Sequence, residues 1–348
     1  MKAMVLRAPN TPFVMETRPD PTPGPGEAVA KVLACGSGLT IEHVRAGRAP
    51  ANFPIVIGHE ITGEIVAIGA RGPDAAGEAL KIGDPVTCYF YLIDGEDRWT
   101  RSDRPSISGR FRGYVGRQID GGYAEYIRLP VQNFVRLPDG LDWKAHPAEI
   151  GVACDAIATP YKVLRRARIA PHETVAVFGA GGGLGLHQVM MCAWAHARVI
   201  AVDIVAAKLD MCRKLGADAV VDASAGDVPA MIRELTHGDG VDVAIDYVSS
   251  RATLEAAAAS LGIGGRLVTL GGAGEKFTAD ARTMLQKELE LIGSRYCTRQ
   301  EVMDSLALVA RGEIWPVVTE TAPLAEAQAL HERLAQGLTV GRVALIVG

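Results

Sequence analysis

Residues 173–203, ETVAVFGAGGGLGLHQVMMCAWAHARVIAVD, decide the fold of this 348-residue chain. Residues 174–178 form a continuous apolar run, which is typical of a strand buried on both faces of a parallel sheet. A glycine-rich turn follows, and the pattern from 186 to about 196 predicts a helix. A second short strand, 198–202, is followed by Asp203. The stretch therefore predicts one strand–turn–helix–strand unit of about 30 residues.

The turn of this unit has the spelling A-x-G-x-x-G, a permitted variant of the dinucleotide-binding glycine pattern. Small residues let the backbone approach a pyrophosphate, and the helix N-terminus offers unpaired N–H groups and a positive dipole end. Asp203, 18 residues after Gly185, is placed to accept hydrogen bonds from an adenosine ribose, and its charge favours NAD(H) over NADP(H). The predicted cofactor-binding residues of the unit are Gly179, Ala180, Gly182, Gly183, Leu184, Gly185 and Asp203.

The composition of the chain excludes several classes of function. Its net charge is −4, so no basic surface indicates nucleic-acid binding. The first residues lack the apolar region of a signal peptide, and no apolar run approaches the ~20 residues of a membrane helix. The six cysteines are scattered, which suits reduced thiols better than a disulfide framework. We therefore expect a cytoplasmic protein that binds neither nucleic acid nor a membrane.

The pattern of the predicted secondary-structure elements changes near residue 153. Residues 1–152 predict a mostly β domain, because short strands alternate with proline- and glycine-rich segments. From 153 to 293 strands alternate with helices, which predicts a doubly wound parallel sheet and places the chain in the α/β class. A helix over 300–311 and a strand over 342–347 follow, and we expect the segment 294–348 to return to the first domain.

With these segments in view, the chain resembles the medium-chain dehydrogenase/reductase family, in its zinc-type alcohol dehydrogenase branch, over essentially its whole length. Besides the nucleotide unit, the matching segments are Ala34-Cys35-Gly36, Gly58-His59-Glu60, Gly63-Glu64-Ile65-Val66, Gly83-Asp84-Pro85-Val86, 121–126 and 158–161. The resemblance implies a GroES-like catalytic domain over 1–152, a Rossmann NAD(H)-binding domain over 153–293 and an active site in the cleft between them. It also implies a homodimer or homotetramer.

The resemblance breaks at the catalytic metal. The position of the family's cysteine ligand falls on Gly38, which cannot bind a metal. The remaining catalytic positions, two of a proton relay and three of metal ligands, match Thr40, His43, His59, Glu60 and Asp155. The last three can form a residual metal site without a thiolate, or they can be hydrogen-bonding residues of a metal-free cleft. The sequence leaves the presence of zinc open.

The structural-zinc lobe of the family also departs from its pattern. Its four cysteine positions fall on Asp94, Asp97, Thr100 and Ser108, so that the thiolate site cannot form. We expect a zinc-free lobe held by packing around Trp99 and Phe111. Six arginines lie in it: Arg98, Arg101, Arg104, Arg110, Arg112 and Arg117. They form either a solvated charged loop or a site for a phosphorylated or coenzyme A-bearing substrate.

Five further side chains carry weaker signals. By the resemblance, Lys208 lies near the adenosine ribose and Arg342 reaches the cofactor pyrophosphate. A helix-surface lysine and a turn before the last strand are the alternative interpretations. His187, His196 and His331 are expected on helix surfaces, without a part in the chemistry.

These observations predict an NAD(H)-dependent oxidoreductase, since the nicotinamide supplies a hydride. Alcohol and carbonyl chemistry in this family relies on a metal Lewis acid, which Gly38 impairs. Reduction of a C=C bond conjugated to a carbonyl or thioester needs that device less, because hydrogen-bond donors can hold the developing enolate. We therefore expect an enone or an enoyl thioester, including a coenzyme A thioester, as substrate. The alternatives are an alcohol/aldehyde dehydrogenase with a residual His59/Glu60/Asp155 metal site and a catalytically silent nucleotide-binding protein.

Overall fold

The computed structural model describes residues 1–69, 74–272 and 274–348 of the chain. The chain divides into two compact units, one formed by Met1–Ala158 with Cys297–Gly348 and the other by Thr159–Tyr296. The boundaries that the sequence predicts are 152/153 and 293/294. None of the helices in these described ranges is long and apolar enough to span a membrane.

The regular elements follow one another in two sets, in chain order. The strands are β1 (Lys2–Leu6), β2 (Phe13–Thr17), β3 (Glu27–Ser37), β4 (Ile55–Val56), β5 (Glu60–Ile68), β6 (Pro85–Cys88), β7 (Tyr91–Ile93), β8 (Phe111–Tyr114), β9 (Tyr126–Pro130), β10 (Phe134–Arg136), β11 (Thr174–Phe178), β12 (Arg198–Asp203), β13 (Ala219–Asp222), β14 (Val241–Asp246), β15 (Leu261–Thr269), β16 (Glu290–Gly293), β17 (Val318–Pro323) and β18 (Arg342–Ile346). The helices are α1 (Leu39–Arg45), α2 (Arg98–Arg101), α3 (Pro147–Val152), α4 (Ala158–Ala167), α5 (Gly185–Trp194), α6 (Ala206–Lys214), α7 (Val228–Leu235), α8 (Arg251–Ala259), α9 (Ala281–Lys287), α10 (Arg299–Ala310) and α11 (Ala327–Ala335).

Strand β3 is the centre of the first unit. The main sheet has the order β10-β6-β5-β3-β18-β17, and β9 also pairs with β3. Strand β5 places Glu60 opposite Gly36, and β18 places Val343 opposite Ser37. This register brings three distant parts of the chain together at the carboxyl end of β3. The candidate catalytic residues lie at this end.

The second unit is a six-stranded sheet with the order β13-β12-β11-β14-β15-β16, in which all neighbouring strands are parallel. Residues 175–178 of β11 are all buried, which agrees with the continuous apolar run. The α/β class and the doubly wound parallel sheet are thereby confirmed. The strand order reverses between β11 and β14, and ligands of such sheets bind at the carboxyl ends of the strands on either side of that point.

Several details of the sequence-based prediction are wrong. Tyr123 precedes β9, which begins only at Tyr126, and its hydroxyl belongs to a buried hydrogen-bond network described below. The patterns named no element at β2, β4, β7, β8, β10, β17, α1, α2, α3, α4, α9 or α11. His187 and His331 are fully buried rather than on helix surfaces, whereas His196 is exposed. Burial of a polar ring depends on partners from other elements, which helical periodicity alone does not show.

Candidate functional site

Three predicted catalytic side chains lie in one buried cluster. The ligand-type atoms of His59, Glu60 and Asp155 are all within 4.8 Å of one another. His59 Nε2 is 3.9 Å from Glu60 Oε1 and 3.8 Å from Asp155 Oδ2, and it has no hydrogen-bond partner within the described residues. Burial lowers the pKa of His59, and the nearby Asp155 opposes this effect. The imidazole is therefore expected to be neutral at pH 7.

The guanidinium of Arg342 is the cation of this cluster. Its Nε donates to Glu60 Oε2 at 2.9 Å, while Nη2 donates to Glu60 Oε1 and, at 2.9 Å, to Asp155 Oδ2. The side chain is only 4% exposed. Burial lowers the pKa of Arg342 to about 10, which leaves it charged at neutral pH. We call His59, Glu60, Asp155 and Arg342 the Arg342 cluster.

Two glycines at the end of β3 make room for the Arg342 cluster. A Cβ atom on Gly38 would overlap Nη1 of Arg342 and lie 2.8 Å from its Cζ. A Cβ atom on Gly36 would overlap Oε2 of Glu60. Glycine at position 38 thus removes the thiolate ligand and, at the same time, makes space for a guanidinium. The lack of a thiolate at position 38 is visible in the sequence, whereas the space for the guanidinium is visible only in the structure.

The Arg342 cluster does not fit a catalytic zinc ion, although its three ligand-type residues have suitable spacing. Both carboxylates already accept charge-assisted hydrogen bonds from Arg342. A divalent ion among them would lie next to a buried guanidinium, and like charges in such surroundings repel strongly. The soft thiolate that strengthens zinc binding is replaced by Gly38. Only His59 Nε2 is left as an uncommitted ligand.

Thr40 and His43 lie on α1, whose N-cap is Gly38. They are three residues apart and thus on one face of the helix. His43 is half-buried, and its pKa is lowered by burial and then by the charge of Arg48, with a smaller contribution from Arg117. Gly38, which makes room for the Arg342 guanidinium, therefore also caps the helix that carries both residues of the predicted relay. Their catalytic role remains a proposal.

A second buried network, which the sequence did not indicate, supports α1. His331 Nδ1 is 2.9 Å from Glu42 Oε2, and Nε2 is 2.9 Å from the hydroxyl of Tyr123, which donates to Ser37 Oγ at 2.7 Å. Arg45 donates two hydrogen bonds to Glu42. Burial would raise the pKa of Glu42, but the hydrogen bonds from His331 and Arg45 lower it to about 2. The network joins α11, α1 and the end of β3.

The glycine turn of the second unit has the geometry of a nucleotide site. A Cβ atom on Gly185 would overlap the carbonyl oxygen of Gly179, so α5 can begin this close to β11 only with glycine. Asp203 Oδ2 accepts from the N–H of Gly181 at 2.9 Å, and the stem of Lys208 covers the same glycine. Asp203 Oδ1 also accepts from the N–H groups of Ile204 and Val205, which leaves the second lone pair of Oδ2 for a ribose hydroxyl. These residues fit NAD(H). Arg342, which the resemblance assigned to the same cofactor, belongs to the first unit.

The lobe over residues 94–117 is organised by the carboxylate of Asp97. Its Oδ1 accepts from the N–H groups of Trp99 and Thr100, and its Oδ2 accepts from Ser108 Oγ and the N–H of Gly109, both at 2.8 Å. Hydrogen bonds, first that from Thr100, lower the pKa of Asp97 to about 2. Three of the four positions that the resemblance matches to cysteines thus form a hydrogen-bonded cluster. Packing alone was the expectation, and Phe111 does pack against Tyr91 and Tyr114.

Comparison with known proteins agrees with this architecture. Residues 24–139 match the alcohol dehydrogenase GroES-like domain, and residues 183–311 match the zinc-binding dehydrogenase domain. An NAD-dependent alcohol dehydrogenase of Sulfurisphaera tokodaii is 30% identical over 99% of this chain and 100% of its own length. An acryloyl-coenzyme A reductase of Metallosphaera sedula is 29% identical over 99% of both chains. The crystal structure of AibC superposes with a TM-score of 0.90 at 33% identity, covering 100% of this chain and 96% of that one.

These matches span both units and both candidate sites. A relative that is 30% identical over nearly the whole chain has the same fold and the same two domains. The predicted family and the predicted cofactor are confirmed. The chain belongs to the medium-chain dehydrogenase/reductase family, in its zinc-type alcohol dehydrogenase branch, and is an NAD(H)-dependent oxidoreductase.

Proposed function

We propose that this oxidoreductase reduces a C=C bond conjugated to a carbonyl or thioester, without a catalytic metal. The observation that carries the proposal is the pairing of Arg342 with both Glu60 and Asp155, two of the positions that match metal ligands. A zinc-dependent alcohol dehydrogenase needs an open Lewis-acid site, and here a fixed guanidinium uses the carboxylates. The acryloyl-coenzyme A reductase of Metallosphaera sedula supports this substrate class.

In the proposed reaction, bound NADH supplies a hydride to the β-carbon of the acceptor. Negative charge then develops on the carbonyl oxygen, where a cation or hydrogen-bond donor stabilises it. Thr40 and His43, on one face of α1, are proposed to deliver the proton that reaches the α-carbon. His59 is proposed as a neutral hydrogen-bonding residue, since its Nε2 has no partner within the described chain.

The thioester is proposed to be a coenzyme A derivative. The arginines of the lobe are largely occupied, since Arg98 lies over the Trp99 ring at 4.3 Å and Arg112 is 3.4 Å from Asp94. They are nevertheless mostly exposed, and exposed guanidinium groups can add a phosphate contact at low cost. A coenzyme A thioester should therefore have a lower KM than the matching N-acetylcysteamine thioester, which lacks the phosphates.

The assembly is proposed to be a homodimer or homotetramer. Strand β16 is at the edge of the second unit's sheet, and the nearby Leu285 and Leu291 are exposed. An edge strand pairs readily with an identical strand about a twofold axis. Sedimentation of the purified protein tests this: a monomer at micromolar concentration contradicts the proposal.

The decisive experiment for the reaction compares four acceptors. NADH consumption is measured with an enoyl-coenzyme A, its N-acetylcysteamine analogue, an enone and an aldehyde, alongside metal analysis of the enzyme. Turnover of the conjugated alkenes by metal-free protein supports the proposal. Turnover of the aldehyde alone, with about one zinc per chain and loss after chelation, would establish the alcohol dehydrogenase reaction instead. NADH binding without turnover of any acceptor would favour the silent protein.

His59 separates the two chemistries independently. If a metal is present, His59 is its single nitrogen ligand, and His59→Ala should remove metal and activity together. In the metal-free enzyme the same change removes one hydrogen-bonding group, about 1–3 kcal/mol of barrier. This corresponds to a rate loss of roughly five- to 150-fold. We expect that partial loss.

A further inference from the structure

One nitrogen of the Arg342 guanidinium is not used by the salt bridges. Nε and Nη2 make every hydrogen bond described above, whereas Nη1 has no partner within the described residues. Unlike His59 Nε2, it is not among the fully enclosed atoms that lack a partner. It points at Gly38, because a Cβ atom there would overlap it. The site therefore presents a charged N–H donor where the family's cysteine ligand would begin.

The surroundings hold this donor in place. Glu60 and Asp155 accept hydrogen bonds from the other two nitrogens, Nε and Nη2, and both carboxylates are buried. A planar guanidinium held by two carboxylates has a fixed orientation and little rotamer freedom to lose when a ligand arrives. A donor that is oriented before the reaction stabilises developing charge without reorganisation. Gly38 is the condition for this geometry.

We propose that Nη1 of Arg342 donates a hydrogen bond to the carbonyl oxygen of the acceptor and so takes over the electrophilic role of the metal. The inference rests on the proposed function. As hydride forms the new C–H bond at the β-carbon, the π electron pair moves onto the α-carbon and the carbonyl oxygen. Nη1–H holds that oxygen as an enolate and keeps its proton. A proton then reaches the α-carbon, and NAD⁺ and the saturated carbonyl compound leave.

Gly38→Ala is the sharpest test, because the added methyl group occupies the space of Nη1 and leaves both salt-bridge carboxylates in place. The clash involves the end of the Arg342 side chain rather than backbone, so the guanidinium must shift away from Gly38. We expect kcat to fall by roughly a hundredfold or more, as for loss of one oxyanion-type donor. The dissociation constant of NADH should stay within a few-fold of the wild-type value. Gly348→Ala is the matched control, since its Cβ atom meets only the carbonyl oxygen of Val32 at 3.9 Å, an ordinary contact, and it should keep wild-type kcat.

Arg342→Lys is the second variant, which keeps a positive charge but loses the planar guanidinium with its separate N–H donors. Arg333→Lys, an exposed arginine paired with Glu320, is its control. The loss of kcat in Arg342→Lys should be larger for the enoyl thioester than for the more electrophilic enone. A purely structural role would lower both rates equally. This comparison decides the matter even if Gly38→Ala fails to fold.

Two outcomes would overturn the proposal. A large rise in the NADH dissociation constant with kcat unchanged at saturation would assign Arg342 to the cofactor pyrophosphate. Equal losses for all acceptors in Arg342→Lys would make it a structural residue. Failure of the proposed function gives a different result, because the wild type would then reduce only the aldehyde. The variants would in that case be assayed with the aldehyde, whose carbonyl oxygen needs the same hydrogen-bond donor.

Discussion

The Arg342 cluster and the lobe both match positions where the resemblance places zinc, and their charges are arranged in opposite ways. In the cluster a cation, the Arg342 guanidinium, joins two carboxylates. In the lobe the anion Asp97 is at the centre, and N–H and O–H groups surround it. The carboxylates of the cluster are fully buried, whereas Asp97 is half-exposed. Buried carboxylates need a counter-charge, and a half-exposed one needs only hydrogen-bond donors and water.

The largest expected effect is on the cation. Arg342→Met would leave Glu60 and Asp155 buried without a counter-charge, so the free energy of unfolding should fall by about 3–5 kcal/mol. Urea denaturation measures it. The triple variant Arg342→Met/Glu60→Gln/Asp155→Asn should recover most of that stability while remaining inactive. If the single variant were as stable as the wild type, the cluster would not depend on its cation.

The lobe should respond more locally. Asp97→Ala removes the common acceptor of four hydrogen bonds, so residues 94–117 should lose protection from hydrogen exchange, with a smaller effect on global unfolding than Arg342→Met. Asp97→Asn should lie between Asp97→Ala and the wild type, because its amide oxygen still accepts. Exchange mass spectrometry reads both variants. An undisturbed lobe in Asp97→Ala would show that Phe111 packing is sufficient.

The pH dependence of the lobe follows from the lowered pKa of Asp97. Its pKa falls from an ordinary 3.8 to about 2 in the folded protein. The stabilisation by its charge is therefore complete above pH ~4 and is lost as pH falls towards 2. Protection of residues 94–117 should decline in this window, and Asp97→Asn should abolish the decline within the lobe. The same pH trend in Asp97→Asn would assign it to other carboxylates, such as Glu42, whose pKa is also about 2.

The smallest expected effect is that of a chelator. Because neither region relies on a metal in our proposal, prolonged EDTA treatment should leave the melting temperature and the activity unchanged. Calorimetry and metal analysis on the same sample test this. A stoichiometric metal whose removal lowers the melting temperature would contradict the proposal that the region binding it, the Arg342 cluster or the lobe, is metal-free.

Local patterns predicted the nucleotide-binding unit well. The apolar run 174–178 coincides with β11, and Asp203 ends β12, because a strand buried on both faces leaves a continuous apolar signature. The sequence also shows directly that position 38 and the four matched positions of the lobe are not cysteines, because residue identity is local information. The hydrogen-bond partners of these positions in the folded protein could not be predicted from the sequence. His331, expected on a surface, proved to be a buried partner of Glu42 and Tyr123.

The amino-acid sequence was sufficient to predict the family, the α/β class with a GroES-like and a Rossmann domain, and the NAD(H) cofactor. Each of these depends on residues close together in the chain. The hydrogen-bond partners of the residues at the two predicted zinc positions depended on tertiary structure. Arg342 and Glu60 are 282 residues apart and meet only because β18 and β5 flank β3 in one register. The sequence shows which side chains are charged. Which oppositely charged side chain lies beside each of them depends on how the strands pair in the folded sheet.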